Sequence, residues 1–253
     1  MLRDDRRDVM LTPCGTGTSP PTSCPFIERL EVELSKTSTR WGRVAALAAV
    51  GVLMLVFWNS AWLWPLKLLV VMFHELGHAV AALLTGGEVL EISVSPDQGG
   101  FALTRGGNAF LILNAGYLGS LAAGVALLVL GRKPRGARVA AGVLSALLLT
   151  VTLIWVSWLT FGWFFALAAA VGLAVLTRWA PGELLAFLVR ALGVFSVLYA
   201  AWDVRSDVLV WGGGGPSDAA MLAERTMVPA ACWGVGWILA GVAVLVLLRK
   251  KIV

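Results

Sequence analysis

Residues 66–86 read LKLLVVMFHELGHAVAALLTG. An α-helix needs about 20 apolar residues to cross a bilayer, and this run supplies them around a polar cluster of His74, Glu75 and His78. Positions i and i+4 lie one turn apart on one helix face, so both imidazoles can reach a single zinc ion. Glu75 stands beside them, close enough to act on a water held at that ion. These are the only two histidines in the chain. Random shuffling would place them four apart with Glu after the first in roughly a few cases in ten thousand, whereas the HExxH mechanism demands that spacing. His74 lies about 12 Å along the helix from its start, at 1.5 Å per residue. An acidic side chain at the centre of a span costs about 2.5–3.5 kcal/mol on insertion scales, and a bound dication offsets that cost directly. The plainer alternative is an interhelical hydrogen-bond cluster without metal.

The rest of the chain fits a membrane setting. Of 253 residues, 58% are hydrophobic and 14% charged, with a mean hydropathy of +0.83. Soluble domains carry about 25% charge, so the composition excludes an ordinary soluble enzyme. The expected fold class is all-α and polytopic, with about seven transmembrane helices near 44–64, 66–86, 109–131, 139–158, 161–178, 184–204 and 229–248. The fourth and fifth are divided only by a weak break at Ser157–Gly162. Trp58, Trp62, Trp64, Trp155, Trp158, Trp163 and Trp179 fall near proposed span ends, as an interfacial aromatic belt requires. The formal charge of +5 sits largely beside the spans, where it anchors helices, and calls for no nucleic acid. The loop Arg132–Arg138 and the tail Arg249–Lys251 point to the cytoplasm by the positive-inside rule, while Arg40 and Arg43 argue for the reverse orientation.

Two stretches break the helical pattern. Residues 86–107, GGEVLEISVSPDQGGFALTRGG, place glycine pairs at both ends and in the middle, with β-branched alternation between. That reads as a β-hairpin or re-entrant ribbon, packed on the spans or at their surface because bare backbone is not tolerated in lipid. Residues 205–228 form a polar, Gly-rich loop with GGGGPSD. The polar segment 1–43 is expected to be a disordered tail, with one short amphipathic piece near Phe26–Leu34 and no signal peptide; 44–253 is the membrane domain. Cys14, Cys24 and Cys232 make no metal-binding spacing. A Cys14–Cys24 disulfide would need an oxidising side, so a free pair is the expectation.

A catalytic zinc takes three protein ligands and keeps one open position. With no third histidine, the remaining donor must be a carboxylate or Cys232. Glu88, Glu91 and Asp97 follow the motif helix, and Glu183 opens a later span. Asp203 and Asp207 are four apart at the end of ALGVFSVLYAAWDVRSDV, with Asp203 still at membrane depth; alternatively they form an interfacial cap pair solvated by Arg205.

At this point the chain resembles the site-2 protease clan of intramembrane zinc metalloproteases, most closely its B-like branch. The resemblance is carried by FHELGHAVAALLTGG (73–87), PDQGG (96–100), RGG (105–107), AGYLGS (115–120), LYAAWDVRSDV (198–208), SDAAMLA (217–223) and WGVGW (233–237), in order across 66–245. It implies an HExxH helix, a membrane-associated β-hairpin after it, and a late span giving an Asp as third ligand. Asp203 holds that Asp's place, and Asp207 and Asp218 match further acids of the branch. Asp203 is followed by Val204 rather than the Gly of better-known members, and no inserted substrate-filtering domain is visible. Asp218 has a plainer role open to it as N-cap of a helix from Ala219. Gly116, Gly119 and Ser120 suit close helix packing. Asn114 suits either packing or a hydrogen bond to substrate.

The expected activity is hydrolysis of peptide bonds within or near transmembrane segments of a membrane-protein substrate, with zinc as cofactor, His74, His78 and Asp203 as ligands, and Glu75 as general base. The chain would then be multi-pass in the bilayer, in the plasma membrane if bacterial. Three rivals are a non-catalytic scaffold keeping the fold, a metal-ion transporter, and another membrane HExxH class taking Glu183 as ligand. Transport would spread its acids and histidines over several spans, whereas here they converge on few.

Overall fold

The chain is described from a computed structural model covering Gly42 and residues 45–209 and 217–252, without the side chains of 203, 205–209 and 249–252. The expected tail 1–43, its Phe26–Leu34 piece, the Cys14 and Cys24 pair and the glycines of GGGGPSD lie outside these residues.

The order of elements is α1 (Ala45–Val56), a short 3-10 turn (Ala61–Leu63), α2 (Trp64–Leu84), β1 (Glu88–Val94), β2 (Gly100–Arg105), α3 (Ala109–Leu130), α4 (Pro134–Ile154), α5 (Phe161–Trp179), α6 (Gly182–Leu209), α7 (Asp218–Thr226) and α8 (Ala230–Ile252). Six helical segments among the described residues are long and apolar enough to cross a membrane, and α1 is a shorter apolar helix. The expected span 44–64 is therefore divided. The helix gives way after Val56, Ser60 accepts a hydrogen bond from the Trp62 N–H, and Pro65 enters at the first turn of α2, where a missing N–H costs nothing. Large apolar side chains stand on the outer faces: Val52, Val143, Phe164 and Leu239 are each more than half exposed. Water would penalise such a surface, and lipid accepts it. The protein is an integral, multi-pass membrane protein.

α3 is the hub. A Cβ on Gly77 of α2 would fall 2.1 Å from the Ala115 carbonyl oxygen, and one on Gly119 would fall 2.9 Å from the Gly77 Cα. On its other side, α3 meets α6 where Gly124 and Gly193 oppose each other's carbonyls, and the Ser196 hydroxyl donates to the Ser120 carbonyl at 2.8 Å. Small residues bring backbones together where no hydrophobic effect drives helices to associate.

Residues 86–107 form a two-stranded antiparallel hairpin with Val94 opposite Gly100, Ile92 opposite Ala102 and a bulge between Val89 and Glu91. Its polar backbone is met by protein. The Ile92 N–H donates to the Trp155 carbonyl at 2.8 Å, the Ser157 hydroxyl donates to Glu91, and the Trp64 indole N–H donates to the Pro96 carbonyl at 2.8 Å. These bonds lay the hairpin along α2 and against the α4–α5 connection. Trp64→Phe keeps the ring contact with Phe161 but removes the donor. The expected cost is about 1 kcal/mol, read as a lower unfolding midpoint with faster hydrogen exchange in residues 95–99.

The expected loop 205–228 is shorter than the sequence suggests. α6 continues to Leu209, and α7 occupies Asp218–Thr226. Ala219 and Leu222 of α7 are buried with Leu113, Tyr117, Val204 and Trp237. That apolar face seats an otherwise polar helix against α3, α6 and α8.

Candidate metal centre

α2 presents His74 and His78 one turn apart, with ring centroids 4.8 Å from each other. Nδ1 of His78 lies 2.7 Å from the Ile112 carbonyl oxygen. A carbonyl only accepts, so Nδ1 carries the proton and, in the neutral ring, Nε2 keeps its lone pair, the arrangement of a metal-binding histidine held by an outer partner. The ring of Tyr117 stands nearly perpendicular to that of His74, with centroids 4.7 Å apart. Tyr117 in turn stacks on Trp237 of α8 at 4.4 Å.

α7 brings a carboxylate to this pair. Asp218 Oδ2 lies 3.0 Å from His74 Nε2 and 3.1 Å from His78 Nε2. The three donor atoms lie within 4.8 Å of one another. Two ligands held about 2.0–2.1 Å from a tetrahedral zinc stand about 3.3 Å apart, so the measured separations fit a shared ion after a small outward adjustment. The surroundings fit it as well. A Cβ on Gly116 would lie 2.4 Å from His74 Nε2 and 2.6 Å from His78 Nε2, so α3 leaves a bare backbone wall facing both nitrogens. Burial pushes the Asp218 carboxyl up, but when the imidazoles are protonated at Nε2 their hydrogen bonds and charge outweigh it and hold the group down at about 2. It therefore offers the deprotonated oxygen that a metal ligand must supply.

Glu75 is buried and faces the hairpin. A Cβ on Gly100, the first residue of β2, would come within 2.6 Å of Glu75 Oε1. The carboxylate thus lies between the histidine-bearing face of α2 and the start of a β-strand.

A family model for Peptidase M50B-like proteins matches residues 46–248, and with the HExxH helix and its carboxylate now in place the match has a structural basis. The chain belongs to that family. No curated protein and no solved structure matches it. The resemblance carried by the ordered motifs is borne out, and this M50B-like protein is a membrane metalloprotease of the site-2 protease type.

The expected third ligand is Asp203; the acid placed beside the two histidines among the described residues of this M50B-like chain is Asp218. Among the described residues one group can hold a metal, and its carboxylate is Asp218. Asp203 and Asp207 lie in α6 with side chains outside the description, while Val204 packs in the cluster that seats α7. The cap role open to Asp218 is taken by its neighbour. Ser217 is the N-cap of α7, and its side chain accepts from the Ala220 N–H. That leaves Asp218, the first helical residue, free to point at the histidines. The other candidates are engaged or placed elsewhere. Glu88 pairs with Arg105, Glu91 accepts from Ser157, Asp97 accepts from Ser95 within the hairpin turn, Glu183 lies exposed in the first turn of α6, and Cys232 is exposed on α8.

Asn114 has both polar atoms engaged. Its Nδ2 donates to the Phe110 carbonyl at 2.8 Å, and its Oδ1 accepts from the Trp237 indole at 2.9 Å, joining α8 to α3. Sequence reasoning gave no role to Tyr117, Trp237 or Gly100. Tyr117 and Trp237 stand inside the motifs AGYLGS and WGVGW, and an aromatic residue in a small-residue stretch is the signal that points to them.

Proposed function

We infer that the protein is a zinc metalloendopeptidase that hydrolyses peptide bonds within or near transmembrane segments of other membrane proteins. The observation that carries this reading is the convergence of Asp218 Oδ2 on both histidine Nε2 atoms, at 3.0 and 3.1 Å, beside a buried glutamate on a transmembrane helix. His74, His78 and Asp218 would hold the metal. When bound, zinc supplies Lewis acidity toward a peptide carbonyl and makes water a stronger acid. Glu75 takes a proton from a water at the site and returns it to the leaving amine, as a general base that becomes a general acid. His78 is oriented by the Ile112 carbonyl and His74 by its perpendicular packing with Tyr117. The hairpin keeps bulk water from Glu75 and offers β2 as an edge to which an unwound substrate segment adds as a strand.

Glu75→Gln tests the reading, because it keeps the side chain's shape and removes the base. The variant should retain one metal per chain by elemental analysis and lose cleavage by about 10²–10⁴-fold. Comparing membrane proteomes with the active and Glu75→Gln forms would reveal the substrates as proteins shortened only by the active form. Unchanged cleavage by the variant would overturn the mechanism. A folded protein without metal would favour the scaffold alternative, and metal flux in liposomes would favour the transporter.

A further inference from the structure

On the side of the α2–α3 crossing away from the histidines lies an apolar groove of about 770 Å³. Phe73, Val80 and Leu84 of α2, Leu118 and Ala126 of α3, and Val143 of α4 form its walls. The lining residues on α3 run from Leu111 to Leu130, about 28 Å at 1.5 Å per residue, nearly the depth of a bilayer's hydrocarbon core. Two lining residues, Asn114 and Thr85, have polar side chains, and both are engaged. Asn114 bonds Phe110 and Trp237. The Thr85 hydroxyl donates to Ala81 and accepts from the Asn108 N–H. Nothing inside the groove asks for a polar ligand.

One end of the groove is strongly cationic. Leu130 and Val139 flank the α3–α4 connection, where Arg132, Lys133 and Arg135 are exposed. Arg138 donates to the Thr177 and Ala180 carbonyls, which brings the end of α5 and Arg178 to the same level. Arg190 of α6 packs against Gly131. The carboxylate nearby is Glu183, since Gly182 lies against Pro134. The α3–α4 connection thus brings three exposed cations to that end of the groove, with Arg138, Arg178 and the buried Arg190 packed near it. A charged loop alone would only orient the protein; the loop joined to a long apolar groove has the two halves of a lipid site.

We propose that this groove is a binding site for an anionic phospholipid, with an acyl chain along α2, α3 and α4 and the phosphate at Arg132, Lys133 and Arg135. Cationic pockets between transmembrane helices recognise such headgroups, and each basic residue near the surface adds to the attraction. The site lies across the α2–α3 contact from the metal centre and does not depend on the reading of that centre.

The test compares the full chain in nanodiscs of phosphatidylcholine with and without phosphatidylglycerol, reading the unfolding midpoint and the lipids retained by native mass spectrometry. The wild type should unfold at a higher temperature with phosphatidylglycerol and retain that lipid selectively. Replacing Arg132, Lys133 and Arg135 together by Gln should weaken retention at least about tenfold. Ala126→Trp and, separately, Val143→Trp place an indole in the groove at exposed positions and should abolish the same selectivity while metal content stays that of wild type. No preference for the anionic lipid overturns the proposal. So does selectivity that falls with the charge variant but survives both tryptophan variants, because the headgroup is then held without the groove. A two-chain assembly that Val143→Trp disrupts would assign the groove to a second copy and overturn it as well.

Discussion

Asp218→Asn is expected to yield a folded membrane protein that binds zinc more than about 100-fold more weakly than wild type and cleaves nothing detectable. An outer-shell partner of a ligand typically contributes 10–100-fold in affinity, and a direct ligand should exceed that. Asn preserves volume and can donate from its Nδ2 to a neutral imidazole Nε2 across the 3.0 or 3.1 Å contact, so α7 stays seated on Ala219 and Leu222. What goes is the charge that a dication needs beside two neutral imidazoles. Asp203→Asn should keep the metal, and this pair of variants separates the two acids cleanly. Zinc competition against a chelator of known affinity, with helical content from circular dichroism as the fold control, is the measurement. If Asp203→Asn loses the metal and Asp218→Asn retains it, Asp203 is the third ligand and Asp218 is not.

The chemistry was legible in the sequence where it is local. His74, Glu75 and His78 sit on one turn of one helix, and helical periodicity alone puts them together. The hairpin was legible for a related reason: Gly86, Gly87, Gly106 and Gly107 bound a stretch of alternating apolar and polar residues, with Gly99 and Gly100 marking its turn. The carboxylate that meets the two histidines is a different problem, because Asp218 lies 144 residues from His74 and no local rule measures that distance. Depth in an apolar run favoured Asp203, and the cap preference of Asp gave Asp218 an ordinary use. The competing signal was Ser217, an equally good N-cap directly before it. Two adjacent capping residues at one helix start leave one of them for other work. The broken first span has a similar origin. A hydropathy window averages over Asn59, Ser60 and Pro65, whereas the backbone responds to each of them.

Gly116→Ala should abolish metal binding and activity while most of the fold survives. The added methyl would stand 2.4 Å from His74 Nε2 and 2.6 Å from His78 Nε2, inside van der Waals contact and against the nitrogens that would hold the ion. Relief requires either that the imidazoles swing away or that α3 withdraws. Withdrawal is opposed on both faces of α3, by the Gly77–Ala115 approach and by the Gly124–Gly193 crossing with α6. The rings are the softer element, although His78 must then give up its 2.7 Å bond to Ile112. Gly77→Ala provides the contrast. Its methyl would meet the Ala115 carbonyl oxygen at 2.1 Å, backbone against backbone, so the helix pair itself must part and the unfolding midpoint should collapse with or without metal. The expected pattern is metal loss with a modest stability change for Gly116→Ala, and loss of the folded state for Gly77→Ala. Thermal unfolding in detergent with parallel metal analysis distinguishes them. A Gly116→Ala protein that holds one zinc with wild-type affinity would show that the bare wall of α3 is packing economy and no part of the metal centre.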